Sequence, residues 1–283
     1  MPIITFWSKS KKETAQTLSM IAIATYMAVE NNSRILIIDT NFSNKTIQNA
    51  YFVEKNSSTR RVINELSGGK IDIGSGIEGL AKLITSGKTS GDVITDYAKV
   101  ILKGRLEAIL SSDPRTEEDK ARITSVYKEL VKLANQQYDY VFVDAQKGLD
   151  VPFVNEILDI SHVIVYNITQ RLRDLDEYIE LKKSNPIFKT EKVLPLIGRY
   201  DRYSKYTKKN IARYIGEKKD IPAVSYNTLF FESANEGGIG QYFLKFRKSL
   251  ISSQDRNAIF VDEVQNATDR LILKTQEMLM MMP

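Results

Sequence analysis

The residues of this chain best suited to chemistry are two aspartates and a lysine-bearing loop. Asp39 and Asp144 close the apolar runs Ile35 to Ile38 and Tyr140 to Val143. A carboxylate at the end of a buried strand is costly unless something binds it. The loop Ser8 to Thr17 contains Lys9, Lys11, Lys12, Gln16 and Thr17 and lies between the β run Ile3 to Trp7 and a helical stretch, Leu18 to Val29. A loop in that position can cradle phosphate through backbone N–H groups, at points whose conformation glycine adopts cheaply, with one lysine reaching the β- and γ-phosphates. This loop has no glycine. Non-glycine residues at such points cost roughly 1 kcal/mol or more each, and Glu13 would repel a triphosphate at short range. The three lysines either offset that repulsion as point charges or form a solvated loop.

The elements that must position these residues alternate strand and helix: strand 3–7, helix 14–29, strand 35–38, helix 116–136, strand 140–143, helix 151–160, strand 163–166, helix 172–183 and strand 193–198. That order predicts right-handed crossovers and an α/β fold with a doubly wound, mostly parallel sheet and flanking helices. Ligands on such sheets sit at the carboxyl ends of the strands, where the loop, Asp39 and Asp144 converge. Lys99 to Leu110 reads equally as strand or helix. Asp113-Pro114 breaks the chain and is expected to cap the helix after it. Asn56 to Gly79 is polar and glycine-bearing, with Gly68-Gly69 and Gly74 marking turns. No linker divides the chain, so one domain spanning 1–283 is expected, with 251–283 as a C-terminal helical extension.

These segments resemble the ParA/MinD family, the deviant Walker P-loop ATPases, whose loop reads KGGxGKT and whose second strand ends in DxD. On that frame Lys11 takes the signature lysine, Lys12, Glu13 and Ala15 take glycines, Gln16 takes the phosphate-binding lysine and Thr17 the magnesium-binding Thr. Asn41 replaces the second acid of DxD. Tyr138 to Leu149 resembles the family's "YDyviiDtpaGl" segment, Ser161 to Asn167 its following strand, and Ile221 to Asn227 with Ala234 to Gly237 its adenine-side "iPyd…A…eG" segment. The resemblance implies ATP and magnesium as cofactors, Asp39 and Asp144 as catalytic residues, Thr17 and Asp39 at the metal, and Lys9, Lys11, Lys12, Gln16, Thr17 and Asn227 around the nucleotide. The altered loop predicts weak or absent ATP binding and slow or no hydrolysis. As alternatives drawn from the residues themselves, Thr17 satisfies its own helical turn, and the two aspartates cap helices or accept from loop amides.

Charge is uneven. The net charge is +5, yet Lys189 to Lys219 holds ten Lys or Arg against three acids, +7, which leaves −2 elsewhere. Arg199, Arg202, Lys205, Lys208 and Lys209 interleave with tyrosines at spacing three, which in a helix would set a basic stripe beside an aromatic one, suited to phosphate contacts. The resemblance implies nonspecific DNA as the partner, and an anionic membrane or an acidic protein would fit equally. The same pattern also fits tyrosines packed on the protein beneath solvated lysines. The tail ends in a methionine cluster, and with only Arg270 and Lys274 basic it fits a membrane-lying helix less well than packing on the core or a partner.

There is no cysteine and one histidine, His162. Disulfides, thiolate metal sites and Ser-His-Asp or zinc hydrolysis are thereby excluded. No signal-peptide pattern precedes the first strand and no run of about 18 apolar residues exists, so a cytoplasmic location is expected. The resemblance, taken with the altered loop, implies a homodimeric positioning or scaffold protein of the TadZ/CpaE-like or conjugation-associated kind, recruiting a larger assembly. The alternatives are an active ATP-dependent DNA partition ATPase and a DNA- or protein-binding module without nucleotide.

Overall fold

The computed structural model describes residues 1–10, 14–42, 44–52, 76–87, 90–148, 151–247 and 255–281. Lys11, Lys12, Glu13, Gly68, Gly69, Gly74 and Leu149 lie outside the described residues. The eight strands are β1 (Ile3–Trp7), β2 (Ile35–Asp39), β3 (Lys99–Leu102), β4 (Leu106–Ile109), β5 (Tyr140–Asp144), β6 (Val163–Ile168), β7 (Val193–Tyr200) and β8 (Ala223–Ser225). They form one sheet in the order β3-β4-β2-β5-β1-β6-β7-β8, parallel throughout except for the antiparallel β3–β4 edge. The doubly wound sheet read from the sequence is present.

Alternation along each strand divides the core. Ile4 and Phe6 of β1 and Ile35 and Ile37 of β2 face α1 (Gln16–Glu30), while Ile3, Leu36 and Ile38 face α5 (Glu117–Ala134). Helix α1 is apolar nearly all round and is buried from Gln16 to Ala28 except at Leu18, as a helix wedged between sheet and further helices must be. Those further helices are α2 (Thr46–Tyr51), α9 (Thr228–Asn235), α10 (Ile239–Phe246) and α11 (Arg256–Met281). On the opposite face lie α3 (Ile77–Thr85), α4 (Val93–Tyr97), α5, α6 (Pro152–Ile160), α7 (Leu172–Ser184) and α8 (Lys208–Tyr214).

Several local readings are corrected. The ambiguous stretch Lys99 to Leu110 is a hairpin, and its second strand is fully buried because it pairs with β2 in the sheet interior. Helix α5 is capped by Thr116, whose hydroxyl accepts from the Asp119 N–H at 3.0 Å, and not by Asp113-Pro114. Ile77 to Gly79, the end of the polar, glycine-bearing stretch, open α3. The tail is the last third of α11, which packs through Phe260, Val264, Leu271 and Met278 onto α1 and β8. Met278 is buried, whereas Met280 and Met281 are exposed.

Candidate functional site

The carboxyl ends of β1, β2 and β5 bring the loop and both aspartates together, because Asp39 and Asp144 are direct partners across the parallel β2–β5 pair. Asp144 is fully buried and accepts on both oxygens. The Gln16 amide donates to Oδ1 at 2.7 Å, the Thr17 hydroxyl to Oδ2 at 2.7 Å, and the Asn41 amide to Oδ2 at 3.0 Å. Gln16 is equally committed. Its Nε2 also donates to the Ala145 carbonyl at 2.7 Å, and its Oε1 accepts from Ser8 Oγ at 2.8 Å, which in turn accepts from Thr14 Oγ1 at 3.0 Å. Asp39 is held by the Asn41 N–H at 2.9 Å on Oδ1 and by Ser111 Oγ at 2.9 Å on Oδ2.

Burial raises both carboxyls. Asp39 is pushed up to about 7, by desolvation first and then by the neighbouring charge of Asp144, and Asp144 is pushed up to about 6 by desolvation against the donors that favour its charged form. The polar groups here are therefore satisfied by one another, with Gln16 as the crossbar between β5 and the loop.

At one point the loop backbone takes a conformation that glycine adopts most cheaply. Ala15 stands in the left-handed region at φ 56°, ψ 25°, immediately before α1. Beside it, β7 approaches so closely that a Cβ on Gly198 would stand 2.2 Å from the Thr14 carbonyl oxygen. The next residue, Arg199, is also left-handed at φ 53°, in the bulge that interrupts the β7–β8 register. Arg199 and Lys147 line a cavity of about 400 Å³ next to Thr17, walled by Tyr226, Phe230 and Phe231. The Arg199 guanidinium lies 5.9 Å from the centre of the Tyr226 ring.

The candidate residues from the sequence thus fall into three groups. Gln16, Thr17, Asp39 and Asp144 converge. Lys9 stands apart, 3.6 Å from Glu177 of α7. Asn227 borders the cavity, but its side chain caps α9 by accepting from the Phe230 N–H at 2.8 Å and ties α9 to α11 by donating to Asn257 Oδ1 at 3.0 Å. The sequence places Ser8 here only as the first residue of the loop, and no motif singles out Ser111 or Lys147.

The basic segment is not a helix, so the two parallel stripes do not form. Strand β7 ends at Tyr200, α8 begins at Lys208, and the turn between them is held from behind by Gln170. Its amide donates to the Asp201 and Tyr206 carbonyls at 3.0 and 2.7 Å and its carbonyl accepts from the Asp201 N–H at 2.7 Å. Arg199, Arg202, Lys205 and Lys209 are exposed, Lys208 half-buried over Tyr200, and Tyr203 88 % exposed. His162 is structural: Nδ1 accepts from the Ile3 N–H at 3.0 Å, and burial holds the imidazole below its usual range. Among the described residues no helix is long and apolar enough to cross a membrane.

The fold is shared with solved structures. A ParA family ATPase from Chlorobium tepidum TLS superposes with a TM-score of 0.65 at 18 % identity, over 93 % of this chain and 97 % of that one. The fold is that of the ParA/MinD ATPases. The septum site-determining protein MinD of Pyrococcus horikoshii OT3, complexed with Mg-ADP, gives 0.62 at 14 % identity over 96 % and 98 % of the two chains. A putative plasmid partition protein from Borrelia burgdorferi B31 bound to AMPPNP gives 0.55 at 16 %, over 96 % and 99 %. No protein-family model and no curated protein sequence matches this chain. The ParA/MinD-like architecture therefore extends over nearly the whole chain, at identities that carry the fold alone.

Proposed function

We propose that this is a ParA/MinD-fold positioning or scaffold protein in which ATP hydrolysis is absent or very slow, and that it recruits a larger assembly of the partition, conjugation, secretion or pilus kind. The observation that carries this reading is the Gln16 crossbar. At the position where phosphoryl transfer needs a lysine to meet developing charge, a neutral amide joins Asp144 to the loop. Thr17, the residue that would hold magnesium, donates its hydroxyl to Asp144 instead. Mg-ATP does not fit this donor set without dismantling it, so no catalytic step is assigned to Asp39 or Asp144. Lacking nucleotide as a switch, the protein is expected to be a homodimer assembled by permanent contacts, in the cytoplasm, with nonspecific DNA as a candidate partner through Arg199, Arg202, Lys205, Lys208 and Lys209. Peripheral membrane contact ranks below these.

Steady-state hydrolysis with ATP and magnesium, together with calorimetric titration and sizing with and without nucleotide, tests the reading. Expected are no turnover above background, no change in size, and no rescue by Gln16→Lys alone. Magnesium-dependent turnover that disappears in Asp39→Ala would overturn it.

A second reading, an ATP-dependent partition protein, draws support from the cavity beside Thr17, with its cationic and aromatic walls, and from neighbours solved with Mg-ADP and AMPPNP. It requires nucleotide-dependent dimerisation, which the same sizing experiment reads.

A further inference from the structure

At the opposite end of the sheet, where β7 and β8 begin, α7, the α8–β8 connection and α11 enclose a second cavity of about 310 Å³. Two cations of α11, Arg270 and Lys274, stand one turn apart on the same helix face and both line it. The Lys274 side chain is only 8 % exposed. Its ammonium has carboxylate oxygens of Glu191 and Glu277 at 3.8 Å each, which balance charge at a distance but accept no hydrogen bond. The Nε of Arg270 is buried with no hydrogen-bond partner.

Two of the neighbouring carboxylates have closer partners than Lys274. Glu217 accepts from Lys182 at 2.8 Å and from the Tyr178 hydroxyl at 3.0 Å. Glu277 accepts from Lys219 at 2.8 Å. Glu191 is 80 % exposed, and Lys218 and Asp220 lie exposed at the rim. What remains inside is the Nε–H of Arg270 without an acceptor, beside a Lys274 ammonium engaged only by two ion pairs longer than a hydrogen bond. A buried donor left without an acceptor is uncommon in native proteins. An oxyanion with several acceptor oxygens is the chemical class that satisfies an ammonium and a guanidinium together, and arginine matches phosphate geometry best.

We propose that this cavity binds a small phosphate-bearing molecule, whose oxygens accept from Arg270 Nε and Lys274 Nζ. Its volume lies at the lower end of small-molecule sites, about 300 to 1,000 Å³, which limits the ligand to roughly the size of a mononucleotide. The site is remote from the Gln16 network and stands or falls independently of the scaffold reading. A bound anion would also fasten α11 to the base of the sheet.

The full chain is titrated calorimetrically with pyrophosphate and, separately, with AMP at constant ionic strength. Saturable binding to one site per chain is expected for at least one of them, and their relative affinities distinguish an inorganic anion from a phosphate ester. Arg270→Gln and Lys274→Met should each weaken it at least about tenfold, roughly 1.4 kcal/mol. Arg270 is half-buried, so its variant is the one expected to fold without change, and circular dichroism melting of both verifies this. Absence of saturable binding for both ligands at millimolar concentration overturns the proposal, as does unchanged affinity in the two variants.

Discussion

Two regions rich in polar residues dispose of their hydrogen-bonding capacity in opposite ways. Around Asp144, side chains satisfy side chains: Gln16, Thr17 and Asn41 all turn inward, and both carboxylate oxygens are taken. In the segment from Asp201 to Thr207, Gln170 bonds the backbone three times from behind, Asp201, Ser204 and Asn210 bond it locally, and the basic side chains are left in water. Both regions are polar in sequence. The first uses polarity to hold strands and loop in one arrangement, the second to present a surface. The direction in which capacity is committed, and not the residue types themselves, separates a locked site from an available one.

The comparison breaks most visibly under pH. Asp39 and Asp144 have folded values near 7 and 6 against an unfolded value of 3.8. Between those limits the unfolded chain releases protons that the folded chain retains, so stability is fullest below about pH 4 and is lost as pH rises through the folded values. For Asp39 alone this amounts to up to about 4 kcal/mol, at about 1.36 kcal/mol per unit. Asp39→Asn should remove most of that slope, matching the parent at pH 4 and exceeding it at pH 8 in urea unfolding. Parallel stability curves for the two proteins would show that the carboxylate is not held in the manner described.

Removing the acceptor itself comes next in size. Asp144→Ala leaves the Thr17 hydroxyl and one N–H of Gln16 without an acceptor, while Asn41 keeps the carbonyl of residue 144, and should cost about 3 kcal/mol in unfolding free energy, given about 1–3 kcal/mol for each buried group left unsatisfied. A loss under about 1 kcal/mol would mean that water or a rotamer change replaces the carboxylate readily.

The exposed region should answer the other way. Alanine at Arg202, Lys205, Lys208 and Lys209 together should leave unfolding within about 0.5 kcal/mol per site. It should flatten the salt dependence of DNA binding by up to about four units, near 0.9 for each phosphate no longer neutralised. Binding indistinguishable from the parent would make this a solvated face and remove DNA as a partner.

The smallest effect belongs to Ala15. A residue with a Cβ at φ 56° is strained, so Ala15→Gly should stabilise by about 1 kcal/mol or less, after the entropy of a glycine in the unfolded chain is set against it. Destabilisation on that change would show that the Ala15 methyl makes packing contacts worth more than the strain.

Much of this was legible in the chain. The run Tyr140 to Asp144 and its counterpart Ile35 to Asp39 announce buried parallel strands because they are apolar up to their final residue, and their terminal aspartates mark the edge where a site forms. The alternation of strands with crossover helices then fixes the sheet. Three things were not readable. Lys99 to Leu110 has no period that separates strand from helix until β2 supplies a partner. The spacing of three among Arg199 to Lys209 imitates a helix, while Gln170, some thirty residues earlier, determines the turn. The Gln16 network depends on partners up to 129 positions apart, so loss of the lysine could be read but not what the amide would grip.

Gly198 joins the two regions compared above. It allows the backbone of β7 to touch the loop backbone at Thr14 with no side chain between them, and it immediately precedes Arg199. A junction of that kind transmits displacement. A partner that draws the 201–207 turn outward would move the bulge at Arg199 and, through the Thr14 carbonyl, the segment that leads into Ala15 and Gln16. A methyl group introduced at 198 would act as a permanent wedge at the same joint, forcing on the free protein the shift that an attached load would impose.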